Sequence, residues 1–305
     1  MEIETLVYGI YPKTEKLRKI ISKYERNQIS ASDLSLEFVA EKKEIIARFA
    51  SIGISHFSDP IVNWYDLFRP LALIFEGIDL GPLTRYRETN TFYRIPIISD
   101  IGRRNIQYET LFEGRENPPT ELFSPQTSGR HLAIFPGAHS FYSMSEVKDG
   151  ITEKEFSDYL SEMYGSILKK YGYSSVLIYD PLQYGDSNLS YLNPLLEKYS
   201  IYAVSSGRIS KQHFSGTSRK FASVIVDPVH DNYAVASEVS ELPGLKVIDA
   251  RNTLIETNRI VANTISDSVG NGRIEKIVIA NNESFDFLPR QVADRKVSFM
   301  SGLGA

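Results

Sequence analysis

Four acids stand at the ends of apolar runs. Asp180 closes Val176-Leu177-Ile178-Tyr179, Asp227 closes Val224-Ile225-Val226, Asp249 closes Lys246-Val247-Ile248, and Glu283 follows Ile277–Ala280. Acids converging from different strands bind an amine, bind a metal or work as acid and base. Any one of them alone reads first as a cap for the next helix or a partner for Arg251; it is the set that points to binding. His230, three residues after Asp227, fits a ligand, a base or a structural histidine. Ser205-Ser206-Gly207 reads as an anion cradle or an ordinary loop. Tyr11 and Lys13 follow the first run. Arg85, Arg87 and Arg94 sit among Tyr86, Phe92 and Tyr93. Guanidinium groups beside aromatic rings suit an anionic, ring-containing ligand. An exposed hairpin with solvated arginines is the alternative.

These residues need strands to carry them. Ser174–Pro181 is apolar and partly β-branched, as in a strand buried on both faces, because a half-wet strand would alternate. Similar runs begin near Thr5, Ile54, Leu132, Val176, Ile201, Val224, Lys246 and Ile277, each followed by a helical pattern. Ser30 with Asp33, and Thr152 with Glu155, open two of the helices as capping boxes. Further helices are expected at Glu15–Arg26, Trp64–Phe75, Leu189–Tyr199, Tyr233–Ser240, Leu254–Val269 and Pro289–Met300. Leu83–Ile98 reads as a hairpin or an extended excursion, and 99–130 as a long loop with some helix. Eight β-then-α units predict an α/β protein, a (β/α)8 TIM barrel, spanning 1–305 as a single domain with an elaborated segment at about 61–130. An open doubly wound sheet is the runner-up. No Gly-rich phosphate fingerprint supports it. In a barrel, residues just past the strands share one mouth.

Composition narrows the classes. The chain has 305 residues, a net charge of −4, 42% hydrophobic and 24% charged residues. That charge gives no reason to expect nucleic acid. No apolar run is long enough to span a bilayer, and Met1-Glu2-Ile3-Glu4 has no signal-peptide character, so a cytoplasmic location is expected. There are no cysteines, which excludes disulfides, thiolate metal sites and cysteine nucleophiles.

Four segments resemble the cobalamin-independent methionine synthase family, in its order. Gly9-Ile10-Tyr11-Pro12-Lys13 resembles a Gly-Ser-aromatic-Pro-Arg opening. Gly81–Tyr93, with Asn90, resembles an Asp-Thr-Asn-aromatic segment in the form of the family's N-terminal barrel. Val247–Asn252 resembles a Val-Val-Asp-Gly/Ala-Arg-Asn strand. Phe285–Arg290, continuing to Lys296, resembles a Leu-Glu-Phe-Leu-Pro-Arg motif.

The resemblance implies methyl transfer from a methylfolate-type donor to homocysteine. The family's catalytic barrel holds zinc through His, Cys, Glu and Cys, which turns the thiol into a thiolate. Here the His-x-Cys strand aligns with Tyr202-Ala203-Val204, the Glu position with Asp227 and the last Cys with Glu283. Its Asp-Glu-Pro reads Tyr179-Asp180-Pro181. The expectation is therefore no bound zinc and no tightly held cofactor. A methylated folate or pterin is the expected co-substrate, and a separate zinc-bearing methyltransferase chain the partner. A stand-alone barrel for another small anionic metabolite, and a purely structural partner, are the alternatives. Together with Asn90, Arg85 and Arg87 are the expected contacts to the ligand, as are the acids of the rim.

Overall fold

The computed structural model describes residues 1–87, 91–108, 121–183, 185, 187–270 and 274–304. Eight of its strands pair edge to edge and close on themselves. They are β1 (Glu2–Val7), β2 (His56–Ser58), β5 (His131–Pro136), β7 (Ser175–Asp180), β8 (Ser200–Ser205), β9 (Phe221–Val226), β10 (Ser240–Ile248) and β11 (Lys276–Asn281). Every neighbouring pair is parallel, and β1 closes the ring between β11 and β2. This is the (β/α)8 barrel, and the eight expected strands are its staves.

Helices wrap the ring: α1 (Glu15–Glu25), α2 (Ala31–Ser51), α3 (Arg69–Ile74), α4 (Ala138–Ser143), α5 (Glu153–Tyr171), α6 (Asn193–Leu196), α7 (His230–Val239), α8 (Asn258–Val269) and α9 (Arg290–Ser301). Both capping boxes form, at Ser30–Asp33 and Thr152–Glu155. All six residues of β5 and of β7 are buried, because helices cover the outside and side chains fill the inside.

Departures from the expected elements have local causes. The Trp64–Phe75 helix shrinks to α3, with Pro70 in its first turn. The Leu189–Tyr199 helix splits into a 3-10 turn, Leu189–Leu192, and α6, with Pro194 at the restart; proline has no N–H to continue a helix. The Leu254–Val269 helix begins only after Thr257, whose side chain accepts from the Ile260 N–H. β10 is longer than Lys246–Ile248 because it runs through Pro243 and Gly244. A Cβ at Gly244 would lie 2.8 Å from Ile225 and 3.0 Å from Val278, so only glycine fits between the neighbouring strands. The register of β10 against β11 shifts between Lys246 and Ile248.

The elaborated segment is a small second sheet. β3 (Ile78–Arg85) and β4 (Phe92–Ile98) form an antiparallel hairpin, and β6 (Glu146–Val147) adds to β4 in parallel. Thus Leu83–Arg85 and Phe92–Ile98 belong to the two arms of a hairpin, and residues 88–90 lie outside the described residues. Residues 109–120 of the expected loop lie outside the described residues. Among the described residues, no helix is long and apolar enough to cross a membrane.

Candidate functional site

The mouth is built on the end of β11. Asn281 accepts from the Tyr8 N–H at 3.1 Å and donates to the carbonyls of Tyr8 and Glu283 at 2.9 and 2.7 Å. This ties the β1 end to the turn that presents Glu283. Glu283 is buried, with its side chain 8% exposed. Its Oε1 accepts from Arg87 at 2.9 Å and from Arg251 at 2.6 Å. Its Oε2 accepts from the Tyr179 hydroxyl at 2.5 Å. Arg251 arrives from the β10 end. Arg87 arrives from the hairpin, at a positive φ of 53°, a conformation non-glycine residues seldom adopt. Tyr8 stands beside Tyr179, with ring centroids 5.1 Å apart. Its hydroxyl is buried with no hydrogen-bond partner among the described residues. Burial first, and then the Glu283 charge, keep both phenols protonated well above their ordinary range.

A second ionic group lies on β9 and β10. Lys246 Nζ meets Asp227 Oδ1 at 2.8 Å and Ser206 Oγ at 3.3 Å, and the Gly207 N–H donates to Asp227 Oδ2 at 2.6 Å. The Lys246 side chain is 2% exposed. Burial lowers its pKa, and Asp227 opposes that shift.

A narrow cleft, partly open to solvent, runs from Glu283 outward beneath the hairpin. Tyr65, Phe68, Tyr86, Phe92 and Phe287 wall it, and Asp66 and Asp286 face it. Burial pushes Asp286 up to about 7, against the pull of Lys13. Burial also raises Asp66 and lowers Lys13 to about 8. Lys13 Nζ donates to the Trp64 carbonyl at 3.2 Å and lies 4.3 Å from the centre of the Tyr65 ring.

The other expected residues divide. Asp180 does not turn into the mouth. Its Oδ1 accepts from the Ser140 N–H at 3.0 Å, and a Cβ at Gly137 would sit 1.7 Å from Oδ2, so the acid packs against the start of α4. Burial raises it to about 6. Asp249 Oδ1 accepts from the Arg251 N–H and from Asn282, which fixes the turn that aims Arg251. Tyr11 points away from the mouth, donating to Asp294 at 2.8 Å and packing on Phe49. Arg85 is exposed on β3, outside the cleft lining. Asn90 lies outside the described residues. His230 opens α7, and its side chain is likewise outside what is described. The four acids thus do not form one rim set: Asp227 and Glu283 serve the mouth, and Asp180 and Asp249 shape loops.

Sequence reasoning passed over Lys246 and Asp66. Lys246 had a signal: a charged residue inside a run read as buried on both faces. Asp66 had none. On the outer flank, His139, Glu153 and Ser187 gather. Glu153 and Ser187 both engage the same Nδ1, at 3.1 and 2.8 Å, so this is not the two-ended imidazole of a serine triad.

The zinc set implied by the resemblance does not fit. Tyr202 lies near the opposite end of the barrel, its ring 5.0 Å from His56, and Val204 is a fully buried apolar residue. Asp227 and Glu283 are occupied by lysine and arginine. Among the described residues no three His, Cys, Asp or Glu side chains group to hold a metal.

No protein-family model and no curated protein sequence matches the chain. Solved structures do. A B12-independent methionine synthase from Shewanella sp. W3-18-1, in complex with selenomethionine, superposes with a TM-score of 0.68 at 12% identity, over 100% of this chain and 97% of that one. A putative vitamin-B12 independent methionine synthase from Listeria monocytogenes gives 0.65 at 12%, over 97% and 95%. The likeness shows a shared fold, the (β/α)8 barrel.

Proposed function

We propose that this barrel binds the anionic part of a small methylated donor, of the folate or pterin type, and supports homocysteine methylation on a separate zinc-bearing chain. The observation that carries the reading is the pair Arg87 and Arg251 meeting on one oxygen of Glu283, beside an aromatic-walled cleft. Two guanidinium groups on one carboxylate oxygen have donors left over for an incoming carboxylate. Glu283 orients them and keeps them from collapsing onto the rim.

The chemistry of this chain is then binding and orientation. Tyr179 fixes Glu283, Asp249 fixes Arg251, and the hairpin carries Arg87 over the cleft. Among the described residues no group at the mouth is placed to make a thiolate, which is why a partner enters the reading.

The test is calorimetric titration with a methylated folate. Wild type should bind, and Arg87→Ala and Arg251→Ala should each bind roughly 10–100-fold more weakly, the worth of one lost charge-assisted contact. Adding the chain to a zinc-bearing homocysteine methyltransferase should raise its rate at limiting donor. Equal affinity in both variants, or no binding by wild type, sinks the donor reading.

A second reading is favoured by the comparisons. The matched structures are covered over 97% and 95% of their own lengths, so a single barrel of this size needs no second half to exist. On that reading the chain binds another small anion alone. Arginine-dependent binding of simple carboxylates, with no effect on the methyltransferase, selects it.

A further inference from the structure

Lys246 points into the ring of staves. Its Nζ reaches Asp227, just past β9, and Ser206, just past β8, a strand that does not adjoin β10. Contact across β9 to both marks a side chain inside the mouth. That side chain is 2% exposed, whereas Asp227 is 32% exposed. The amine therefore lies directly beneath a carboxylate that solvent reaches, and turning Asp227 aside uncovers it.

The floor around Lys246 carries a second unengaged group. Tyr8, at the end of β1, meets Tyr179 of β7 although β2 and β5 stand between those strands, so both rings lie within the barrel. The Tyr8 hydroxyl is buried and has no hydrogen-bond partner among the described residues. The charges of Glu283 and Asp227 act on Tyr8 and on Lys246 alike. Phenol and amine thus share one polar floor, and Arg87 and Arg251 stand over it on Glu283. Burial favours the neutral form of Lys246; Asp227 and Glu283 pull the other way, and Arg87 adds to the effect of burial. A neutral amine attacks carbonyl carbon and an ammonium does not, which is why desolvated lysines serve as Schiff-base nucleophiles.

We infer that Lys246 forms a reversible imine with a small oxo acid, whose carboxylate lies on Arg87 and Arg251 and whose carbonyl oxygen takes the Tyr8 hydrogen bond. This goes beyond the proposed function and shares with it only the arginine pair. The atoms balance without a co-reactant. Lys246 passes one proton to Asp227, and its nitrogen bonds the carbonyl carbon while the C=O electron pair moves onto oxygen. That oxygen takes a second proton from the nitrogen. The C–O bond then breaks, the nitrogen lone pair completes C=N, and the hydroxide leaves as water with the proton held on Asp227. The Tyr8 phenol, kept protonated by burial, donates its hydrogen bond throughout and gives up no proton.

The test is reductive trapping on the full chain. Pyruvate, or levulinate, whose ketone stands further from its carboxylate, is added at neutral pH and followed by borohydride, which reduces an imine to a stable secondary amine. With one acid or the other, intact mass should show a single adduct per chain. Peptide mapping should place it on Lys246 and not on exposed lysines such as Lys154. Acetone, a ketone without the carboxylate, should label roughly tenfold more weakly, and Arg87→Ala should weaken oxo-acid labelling to a like degree. Tyr8→Phe should slow adduct formation roughly 100-fold, the worth of one donor aimed at a developing oxyanion. Lys246→Arg keeps a cation on Asp227 and should abolish the adduct; if that variant fails to fold, mapping of the wild-type adduct decides. No adduct from either acid, adducts scattered over surface lysines, or acetone labelling equally well would overturn the inference and leave Lys246 and Asp227 a structural ion pair. Folate binding that succeeds while trapping fails removes this inference alone. Trapping without folate binding removes the donor reading alone.

Discussion

The two ends of the barrel carry similar side chains in opposite condition. At the amino ends of the strands, Glu4 meets His56 at 2.8 Å and Lys276 at 2.6 Å, and Tyr202 lies on His56. Glu4, His56 and Lys276 each have a partner there. The hydrogen bond from His56, with help from Lys276, holds Glu4 down at about 2. At the carboxyl ends the ionic groups are more deeply buried, and several polar atoms, Tyr8 Oη, Asp180 Oδ2 and Asp286 Oδ1 among them, have no hydrogen-bond partner among the described residues. One end settles its charges to hold the staves together; the other leaves polar atoms open toward a cleft. Barrel enzymes divide labour between their faces in this way. A third acid, Asp59, shows what burial looks like with every need met: Lys42 at 3.1 Å, His131 at 3.8 Å and the Ser124 N–H at 2.7 Å. Although burial pushes the other way, those partners hold its pKa well below the ordinary carboxylate range.

Substitutions sharpen the contrast, taken from large effect to small. Lys42→Met strands the buried Asp59 charge and should cost about 3–5 kcal/mol in urea unfolding at neutral pH. A loss under about 1 kcal/mol would mean that the hydrogen bonds alone suffice. Asp286→Asn should have the opposite sign, stabilising the protein by about 1–3 kcal/mol at pH 8. The folded pKa of Asp286 is raised from 3.8 to about 7 by burial and by Glu283, with Lys13 opposing. Its favourable contribution is therefore complete below about pH 4 and is lost as pH rises through 7. The gain in Asp286→Asn should vanish at pH 4, and a constant gain across that range would refute the assignment. His56→Ala, at the settled end and partly open to water, should cost less than about 1 kcal/mol. Glu4 is lowered from 4.5 to about 2, so its contribution is present above pH 4.5 and lost on falling toward 2. The difference between wild type and His56→Ala should shrink over that interval.

What could be read from the sequence follows the same division. Barrel staves announce themselves because burial on both faces forces continuous apolar runs, as in Val176–Tyr179. Caps announce themselves because Ser30–Asp33 and Thr152–Glu155 are local chemistry. β10 hid behind Pro243 and Gly244, which are breakers in isolation and are tolerated only because Ile225 and Val278 close in from both sides. The site was half legible. Glu283, Arg251 and Arg87 were marked by strand ends and by the basic aromatic hairpin. Asp180 bears the same mark, and Asp249 too, yet both serve turns. No local pattern says whether an acid past a strand points inward or back at its own loop. Asp66 lies in a stretch read as helix that turns helical only from Arg69 on, and its place is defined by what packs over it.

The pairing of Glu2 with Lys276 closes the ring, and it sets a clock on biosynthesis. A ribosome adding roughly 5–20 residues each second needs on the order of tens of seconds to pass from one strand to the other. For that interval β1 has no closing neighbour on one edge, and an open parallel edge invites pairing with other chains. The barrel can close only once β11 has been made, so β1 must be kept from pairing with other chains for that interval.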